Sequence, residues 1–220
     1  MVSSISLGES WEFNPYIEFA QLFQATTPNE LPPLRTINHR ICAKPGSTCV
    51  PKWLPSPSKF YTELTKQLTE EEVSGQIYCA EHDTNTVLLF VQAKRDDPTK
   101  PRCFRDARDR NEAVSPNHTP LPSIEELMEL VTSRIYWSKI DLADVYHNIR
   151  IEEDSEQHTT FLTHMGYFCS QNMQQGEHNT PAIMLWAMLE IFKDMVLKDL
   201  VIYIDDINIF SDTYNTHVAT

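Results

Sequence analysis

The chain has 220 residues, of which 41% are apolar, so it is long enough for one packed domain with an extension. It contains no apolar run near the roughly 20 residues that a membrane-spanning helix needs. Its first residues lack the basic and apolar segments of a secretory signal, so we expect an intracellular protein, cytoplasmic or nuclear.

The net charge of −13, from 18 basic and 31 acidic residues, argues against a simple nucleic-acid binder, which usually has a basic excess. A local strip rich in lysine and arginine nevertheless runs through residues 94–110. It is interpreted either as a contact for phosphates or as a solvated loop.

Residues 1–57 hold eight of the 14 prolines. Proline lacks an amide donor and interrupts both helices and sheets, so this stretch is predicted to be an irregular lead-in. Within it, residues 16–23 have the apolar spacing of a short helix.

The next segments have clearer periodicity. Apolar residues in 58–73 recur at helical spacing and Gly75 follows, which predicts a helix. Residues 86–93 are β-branched and aromatic, which predicts a strand. Ser123 and Glu126 have the spacing of a capping box, so a second helix is predicted there. Its apolar face is formed by Ile124, Leu127, Met128 and Val131.

Residues 135–142 have the composition of a buried strand, and the alternating residues 147–151 are predicted to be its hairpin or neighbouring strand. Another helix is predicted with Thr180 as its cap and Pro181 at its first position. Its apolar stripe comprises Leu185, Met188, Leu189, Phe192, Met195 and Val196.

Two apolar runs in residues 200–210 flank Asp205 and Asp206, which predicts a β-hairpin with carboxylates at its tip. Because hairpins replace regular βαβ alternation, we predict an α+β domain. An antiparallel sheet is expected to carry helices on one face.

The Asp205–Asp206 pair could be a solvated turn, which is common. Its apolar flanks favour another interpretation, since burying carboxylates costs several kcal/mol unless they are neutralised. A divalent cation such as magnesium would neutralise them. Asp141, at the end of another apolar strand, is either a strand-end aspartate or a third ligand. Two metal ions about 3.5–4 Å apart need such bridging carboxylates.

The order of four motifs resembles the reverse transcriptase of gypsy-type long-terminal-repeat retrotransposons. From about residue 86 to the end the resemblance is good, and it is faint over 28–85. The motifs are SKIDLADVYHNIRI, HTTFLTHMGYF, MQQGEHNTPA and VIYIDDINIFS. The resemblance implies a polymerase fingers-and-palm core over residues 58–220 in a fragment of a polyprotein. The thumb and RNase H portions of the family would be absent.

The resemblance also implies a reaction, in which the 3′-hydroxyl of a primer attacks a deoxynucleoside triphosphate on an RNA or DNA template. Asp141, Asp205 and Asp206 would hold two Mg²⁺ ions, with Mn²⁺ as the alternative.

Further residues correspond to the family's nucleotide-binding positions. Tyr146 matches an aromatic gate against the ribose 2′-hydroxyl, although a core tyrosine is the alternative. Gln175 and Gly176 match a segment beside the nucleotide and template base. Arg102 and Lys100 match fingers residues that contact the triphosphate.

Several residues depart from the family's usual types. Val145 replaces a small residue, Arg105 an apolar one and Ala107 an aromatic one, while Glu177 and His178 stand where apolar or neutral residues are commoner. These departures leave a second hypothesis open, a catalytically inactive remnant that binds nucleic acid or protein. A two-metal nuclease of another fold is the third.

Overall fold

The computed structural model describes residues 30–49, 58–81, 85–95, 97–98, 101–117, 123–142 and 144–220. The predicted helix at 16–23 lies outside these residues. Within them, the chain from 30 to 49 forms only isolated bridges, and the boundary at residue 57 stays a prediction.

Among the described residues, short 3₁₀ helices are formed by Ser58–Phe60, Val145–Asn148 and Glu153–Thr159. The α-helices and strands are α1 Tyr61–Val73, β1 Ile77–Cys79, β2 Val87–Ala93, β3 Pro101–Arg105, α2 Arg108–Ala113, α3 Ile124–Thr132, β4 Tyr136–Asp141, β5 Phe161–Thr163, β6 Gly166–Ser170, α4 Thr180–Ile191, β7 Leu200–Tyr203, β8 Asp206–Ser211 and α5 Tyr214–Ala219. In the described part of the chain, no helix has the length and apolar character needed to cross a membrane.

The chain divides into two compact units. The five-stranded unit contains residues 29–117 and 146–183, and the three-stranded unit contains 118–145 and 184–220. Each has its own sheet and its own cluster of buried apolar side chains.

The sheet of the five-stranded unit has the order β1-β6-β5-β2-β3, in which only β2 and β5 run parallel. Leu64 and Leu68 of α1 join the core beneath it. Because these leucines lie four residues apart, they share one face of the helix. The predicted helix at 58–73 and strand at 86–93 are therefore confirmed.

The predicted strand at 147–151 is wrong. Its first residues belong to the 3₁₀ helix Val145–Asn148, and then Arg150 and Ile151 each make a single bridge, to Asn172 and His39. The alternating burial that suggested a strand is real, since Ile149 and Ile151 are almost fully buried. Because Arg150 and Ile151 bridge to two different segments of the chain, no continuous strand ladder forms.

In the three-stranded unit, β4, β8 and β7 form an antiparallel sheet in that order. Leu127 of α3 packs against Val201 and Phe210 on the sheet. The predicted hairpin at 200–210 is confirmed, as is the strand at 135–142.

Three details of this unit differ from prediction. β4 is an edge strand and is largely exposed, with Trp137 at 64% exposure, rather than buried. Ser123 does occupy the N-cap of α3, but its hydroxyl donates to the Glu125 carboxylate at 3.2 Å and caps no backbone amide. Leu127 is buried on the predicted apolar face, while Ile124 and Met128 are more than half exposed.

Helix α4 begins at Thr180, one residue earlier than predicted, and ends at Ile191. Leu185 and Met188 of its apolar stripe are buried. The last three stripe residues lie beyond the helix and are half-buried: Phe192 and Met195 are in the turns that follow, and Val196 bridges to Leu200.

Candidate active site

The register of the three-stranded sheet brings two of the predicted carboxylates together. Asp141 ends β4 directly opposite Asp206, the first residue of β8. Directly opposed residues in antiparallel strands lie on the same face with Cβ atoms roughly 4.5–5.5 Å apart. Strand pairing alone therefore brings these two aspartates together, although they are far apart in the sequence.

Asp205 lies in the two-residue turn that joins β7 to β8. The other turn residue, Ile204, has a φ of 57°, in the left-handed region that β-branched residues rarely adopt. The amide of Leu142 donates to the carbonyl of Asp205 at 3.3 Å. This bond extends the β4–β8 pairing past Asp141, so the third carboxylate residue is tied to the same end of the sheet.

A lysine neutralises one of these carboxylates. The Lys139 Nζ atom lies 2.7 Å from Oδ2 of Asp206, and both side chains are partly exposed. The hydrogen bond with Asp206 and the charges of Asp206, Asp141 and Asp205 raise the pKa of Lys139. The end of the sheet is thus a place where positive charge is stabilised.

Carboxylate oxygens are the ligands that Mg²⁺ prefers, and the position of the Lys139 ammonium shows that Asp206 accommodates a cation. Among the described residues, no three acidic, cysteine or histidine side chains are already grouped to hold a metal. The donor chemistry of Asp141, Asp205 and Asp206 nevertheless fits magnesium.

The five-stranded unit contains a cleft of about 390 Å³. Three of the residues predicted to bind nucleotide line it, namely Arg102 on β3 and the neighbouring Gln175 and Gly176. Lys100 lies outside the described residues. Tyr146 is half-buried in the 3₁₀ helix and is not among the lining residues, whereas the next residue, His147, is.

The loop that carries Gly176 is held by Asn111 of α2. The Asn111 amide donates to the Gly176 carbonyl at 3.0 Å, and its oxygen accepts from the His178 amide at 2.8 Å. Gly176 has a φ of 98°, which disfavours a side chain although nothing lies within 4 Å of an added Cβ. This role of Asn111 was not predicted from the sequence.

Arg105 is a further cation that lines the cleft. Its guanidinium lies 4.2 Å from the Phe161 ring centroid and 3.9 Å from the Glu71 carboxylate. Burial lowers the pKa of this arginine. Burial and nearby Glu71 raise the pKa of its lining neighbour Cys103 to about 11, so this thiol is protonated at neutral pH. The sequence signal for Arg105 was its charge at a position where the family has an apolar residue.

Glu177, the residue after Gly176, forms a buried cluster of charged side chains with Arg110 and His39. Its carboxylate accepts from Arg110 Nη1 at 2.9 Å and lies 3.4 Å from Nε2 of His39. Arg110 also donates to the backbone carbonyls of Asn85 and Thr160. Burial raises the pKa of Glu177, but the hydrogen bonds and charges of His39 and Arg110 outweigh it and lower the pKa.

The comparisons with known proteins agree with this geometry. The profile of the family described as reverse transcriptase (RNA-dependent DNA polymerase) matches residues 92–220, more than half of the chain. The chain therefore belongs to the reverse transcriptase family, as its motifs predicted.

Its relatives include polyproteins of retrotransposons from Drosophila melanogaster. It is 29% identical over 185 residues to the retrovirus-related Pol polyprotein from transposon 297, a match that covers 83% of this chain and 18% of that protein. It is 27% identical over 165 residues to the polyprotein from transposon gypsy, covering 73% of this chain and 16% of that one. The chain spans less than a fifth of the length of either relative.

Solved structures of similar fold include the foamy viral protease-reverse transcriptase in complex with an RNA/DNA hybrid. The TM-score is 0.78 at 17% identity, over 92% of this chain and 27% of that one. A complex of the same viral protein with double-stranded DNA has a TM-score of 0.75 at 19% identity, over 93% and 35% of the two chains. At this identity the match concerns the fold, and it confirms the predicted α+β fingers-and-palm architecture.

Proposed function

We propose that this chain is the RNA-directed DNA polymerase domain of a retrotransposon polyprotein. The reaction is nucleotidyl transfer from a deoxynucleoside triphosphate to the 3′-hydroxyl of a primer, with pyrophosphate leaving. The single observation that carries the proposal is the pairing of Asp141 with Asp206 at the hairpin whose turn holds Asp205.

In the proposed mechanism, Asp141, Asp205 and Asp206 hold two magnesium ions, with manganese as the alternative. When bound, these ions would lower the pKa of the primer hydroxyl and stabilise charge on the phosphates. The three carboxylates would also hold the metal ions in a defined position at the end of the sheet. Strand pairing directly fixes the backbone at two of them, Asp141 and Asp206.

The cleft of the five-stranded unit is proposed to bind the triphosphate and template base. Arg102 is the exposed cation among its lining residues that fits phosphate oxygens, because a guanidinium donates two parallel hydrogen bonds. Gln175 and Gly176 offer amide and backbone groups to the base and sugar. Lys100 is proposed as a second phosphate contact, and Tyr146 as the residue that excludes a ribose 2′-hydroxyl.

A template–primer duplex is the proposed macromolecular partner. The foamy viral structures of the same fold contain an RNA/DNA hybrid and double-stranded DNA, which supports this choice. The net charge of −13 opposes it, so binding must depend on local contacts and is best measured at low salt.

The experiment is extension of a primed RNA template by the purified chain with Mg²⁺ and all four deoxynucleotides. We expect extension by the wild-type chain, and Asp205→Asn should abolish it because a neutral amide cannot replace a metal-binding carboxylate. Asp194→Asn is a matched control, since this exposed aspartate lies in the turns after α4. It should leave extension unchanged.

Full extension by Asp205→Asn would show that the assigned carboxylates are wrong. Absence of extension from a wild-type chain that is folded by circular dichroism would instead favour the inactive remnant. In that case duplex binding by the same preparation would decide whether the fold still acts as a nucleic-acid-binding module.

A further inference from the structure

Lys139 lies on the same face of the sheet as two of the carboxylates. It is two residues before Asp141 on β4, and its direct partner on β8 is Asn208. Asp206 is therefore its diagonal neighbour across the strands, at a separation that a lysine side chain can bridge. The observed distance of 2.7 Å between Nζ and Oδ2 of Asp206 shows that it does.

This contact differs from an ordinary surface ion pair in what surrounds it. Lys193 and Glu190 form such an ordinary pair at 3.2 Å on the turns after α4 and on α4 itself. Lys139, in contrast, faces a carboxylate that belongs to a group of three at one sheet end. Those three negative charges repel one another, so an ammonium among them relieves more repulsion than one beside a single acid.

We infer that Lys139 is an internal counter-ion of the carboxylate group, and that a divalent metal must displace it from Asp206. Lys139 would then affect the metal concentration at which the site is occupied. In the metal-free protein, it would stabilise the hairpin that carries Asp205 and Asp206. This inference rests on the proposed function, because it takes Asp141, Asp205 and Asp206 as the metal ligands.

Two physical consequences follow. An ammonium 2.7 Å from a carboxylate oxygen competes with a metal ion for that oxygen, and its charge repels any cation bound nearby. Removing the ammonium should therefore strengthen metal binding. It should also weaken the metal-free protein, in which the three carboxylates would lose their neutralising partner.

The test measures binding of Mn²⁺ to the full chain, by the electron paramagnetic resonance signal of the free ion, without any polymerase assay. For Lys139→Gln we expect the Kd for Mn²⁺ to fall by about twofold to fivefold, the range given by a partly exposed ion pair. Lys139→Arg keeps the charge and should bind Mn²⁺ within about twofold of wild type.

Lys193→Gln is the matched control. It removes the same charge from a partly exposed lysine, so an unchanged Kd there excludes a simple effect of net charge. Melting temperatures supply an independent readout. In EDTA, Lys139→Gln should melt below wild type, and saturating Mn²⁺ should raise its melting temperature by more than it raises that of wild type.

The outcomes separate the two proposals. If wild type binds Mn²⁺, Asp205→Asn loses it and Lys139→Gln binds no more tightly than wild type, the role of Lys139 is overturned while the metal site stands. If wild type and Asp205→Asn bind Mn²⁺ equally, the assigned ligands are wrong and the inference about Lys139 fails with them. Equal tightening by Lys139→Gln and Lys193→Gln would also overturn it, because the effect would then be one of overall charge.

Discussion

Glu177 follows Gly176 at a position where the resemblance leads one to expect an apolar or neutral side chain. In the structure this carboxylate is 7% exposed and is held by Arg110 and His39. A buried carboxylate without partners would cost several kcal/mol, so these two contacts explain how the departure is tolerated.

The same contacts predict a dependence of stability on pH. Because the pKa of Glu177 in the folded chain lies below its usual value of 4.5, the ionised form is the one that folding favours. Glu177 therefore contributes stability that is present above pH 4.5 and is lost as the pH falls through the lowered pKa. We expect the urea-unfolding free energy of wild type to decrease over this acid range.

In Glu177→Gln this part of the decrease should be absent, so the free energy of unfolding should change less between about pH 6 and pH 3. The exposed Glu190, which pairs with Lys193, supplies the comparison. Glu190→Gln should keep the wild-type profile, and an identical acid dependence in both variants would contradict the assignment to Glu177.

Val145, another departure from the family, is 8% exposed, so its β-branched side chain is accommodated in the protein interior. Ala107, at the N-cap of α2, is also buried. At these two positions the changed residue types are part of the packing of the chain.

At the scale of elements, Arg110 connects α2 to distant parts of the five-stranded unit. This helix has only six residues, too few to be stable by itself in water. Its arginine donates to the Glu177 carboxylate and to the carbonyls of Asn85 and Thr160. One side chain thus ties the helix to the start of the β2 segment, to the segment before β5 and to the loop after Gly176.

Removal of Arg110 should therefore be costly. We expect Arg110→Met to lower the free energy of unfolding by about 3–5 kcal/mol, because it leaves the Glu177 charge buried with fewer partners and removes a donor from the carbonyls of Asn85 and Thr160. Chemical denaturation monitored by circular dichroism measures this change.

The double variant Arg110→Met/Glu177→Leu distinguishes a charge effect from a packing effect. Replacing both members of a buried pair by apolar residues is often nearly neutral, so the double variant should recover most of the lost stability. If it is as unstable as the sum of the two single variants, the two charges do not interact and the ion pair is not the cause.

At the scale of the whole molecule, the two units differ in how much apolar surface they bury. Among the described residues, 22 buried apolar side chains belong to the five-stranded unit and ten to the three-stranded unit. The proposed catalytic carboxylates lie in the second of these units. Local opening takes less free energy where fewer apolar contacts must be broken.

We therefore expect amide hydrogen exchange to be faster in the three-stranded unit. Peptides covering the exposed edge strand β4 should exchange before peptides covering β2, which is buried and has neighbours on both sides. Hydrogen exchange with mass spectrometry at neutral pH measures the difference. Equal protection of β4 and β2 would show that the two sheets open as one cooperative unit.

The sequence by itself determined the features that depend on neighbouring residues. Helix α1, strand β2 and the carboxylate hairpin follow from periodicity and turn position over fewer than about 15 residues. The order of the motifs also identified the family, because catalytic residues recur at strand ends and turns that the chain passes in a set order. These predictions are confirmed.

Only the tertiary structure decided the features that depend on distant partners. An alternating pattern at 147–151 predicted a strand, yet Arg150 and Ile151 bridge to two different segments of the chain, at Asn172 and His39. The apolar strand β4 lies at the sheet edge and is largely exposed, whereas Leu127 of α3 packs on the neighbouring strands β7 and β8. The partners of Glu177 are 67 and 138 residues away, and Lys139 reaches Asp206 on the neighbouring strand. Local periodicity shows which side chains share one face of a helix or strand. The residues that pack against that face are distant in the sequence, so only the tertiary structure identifies them.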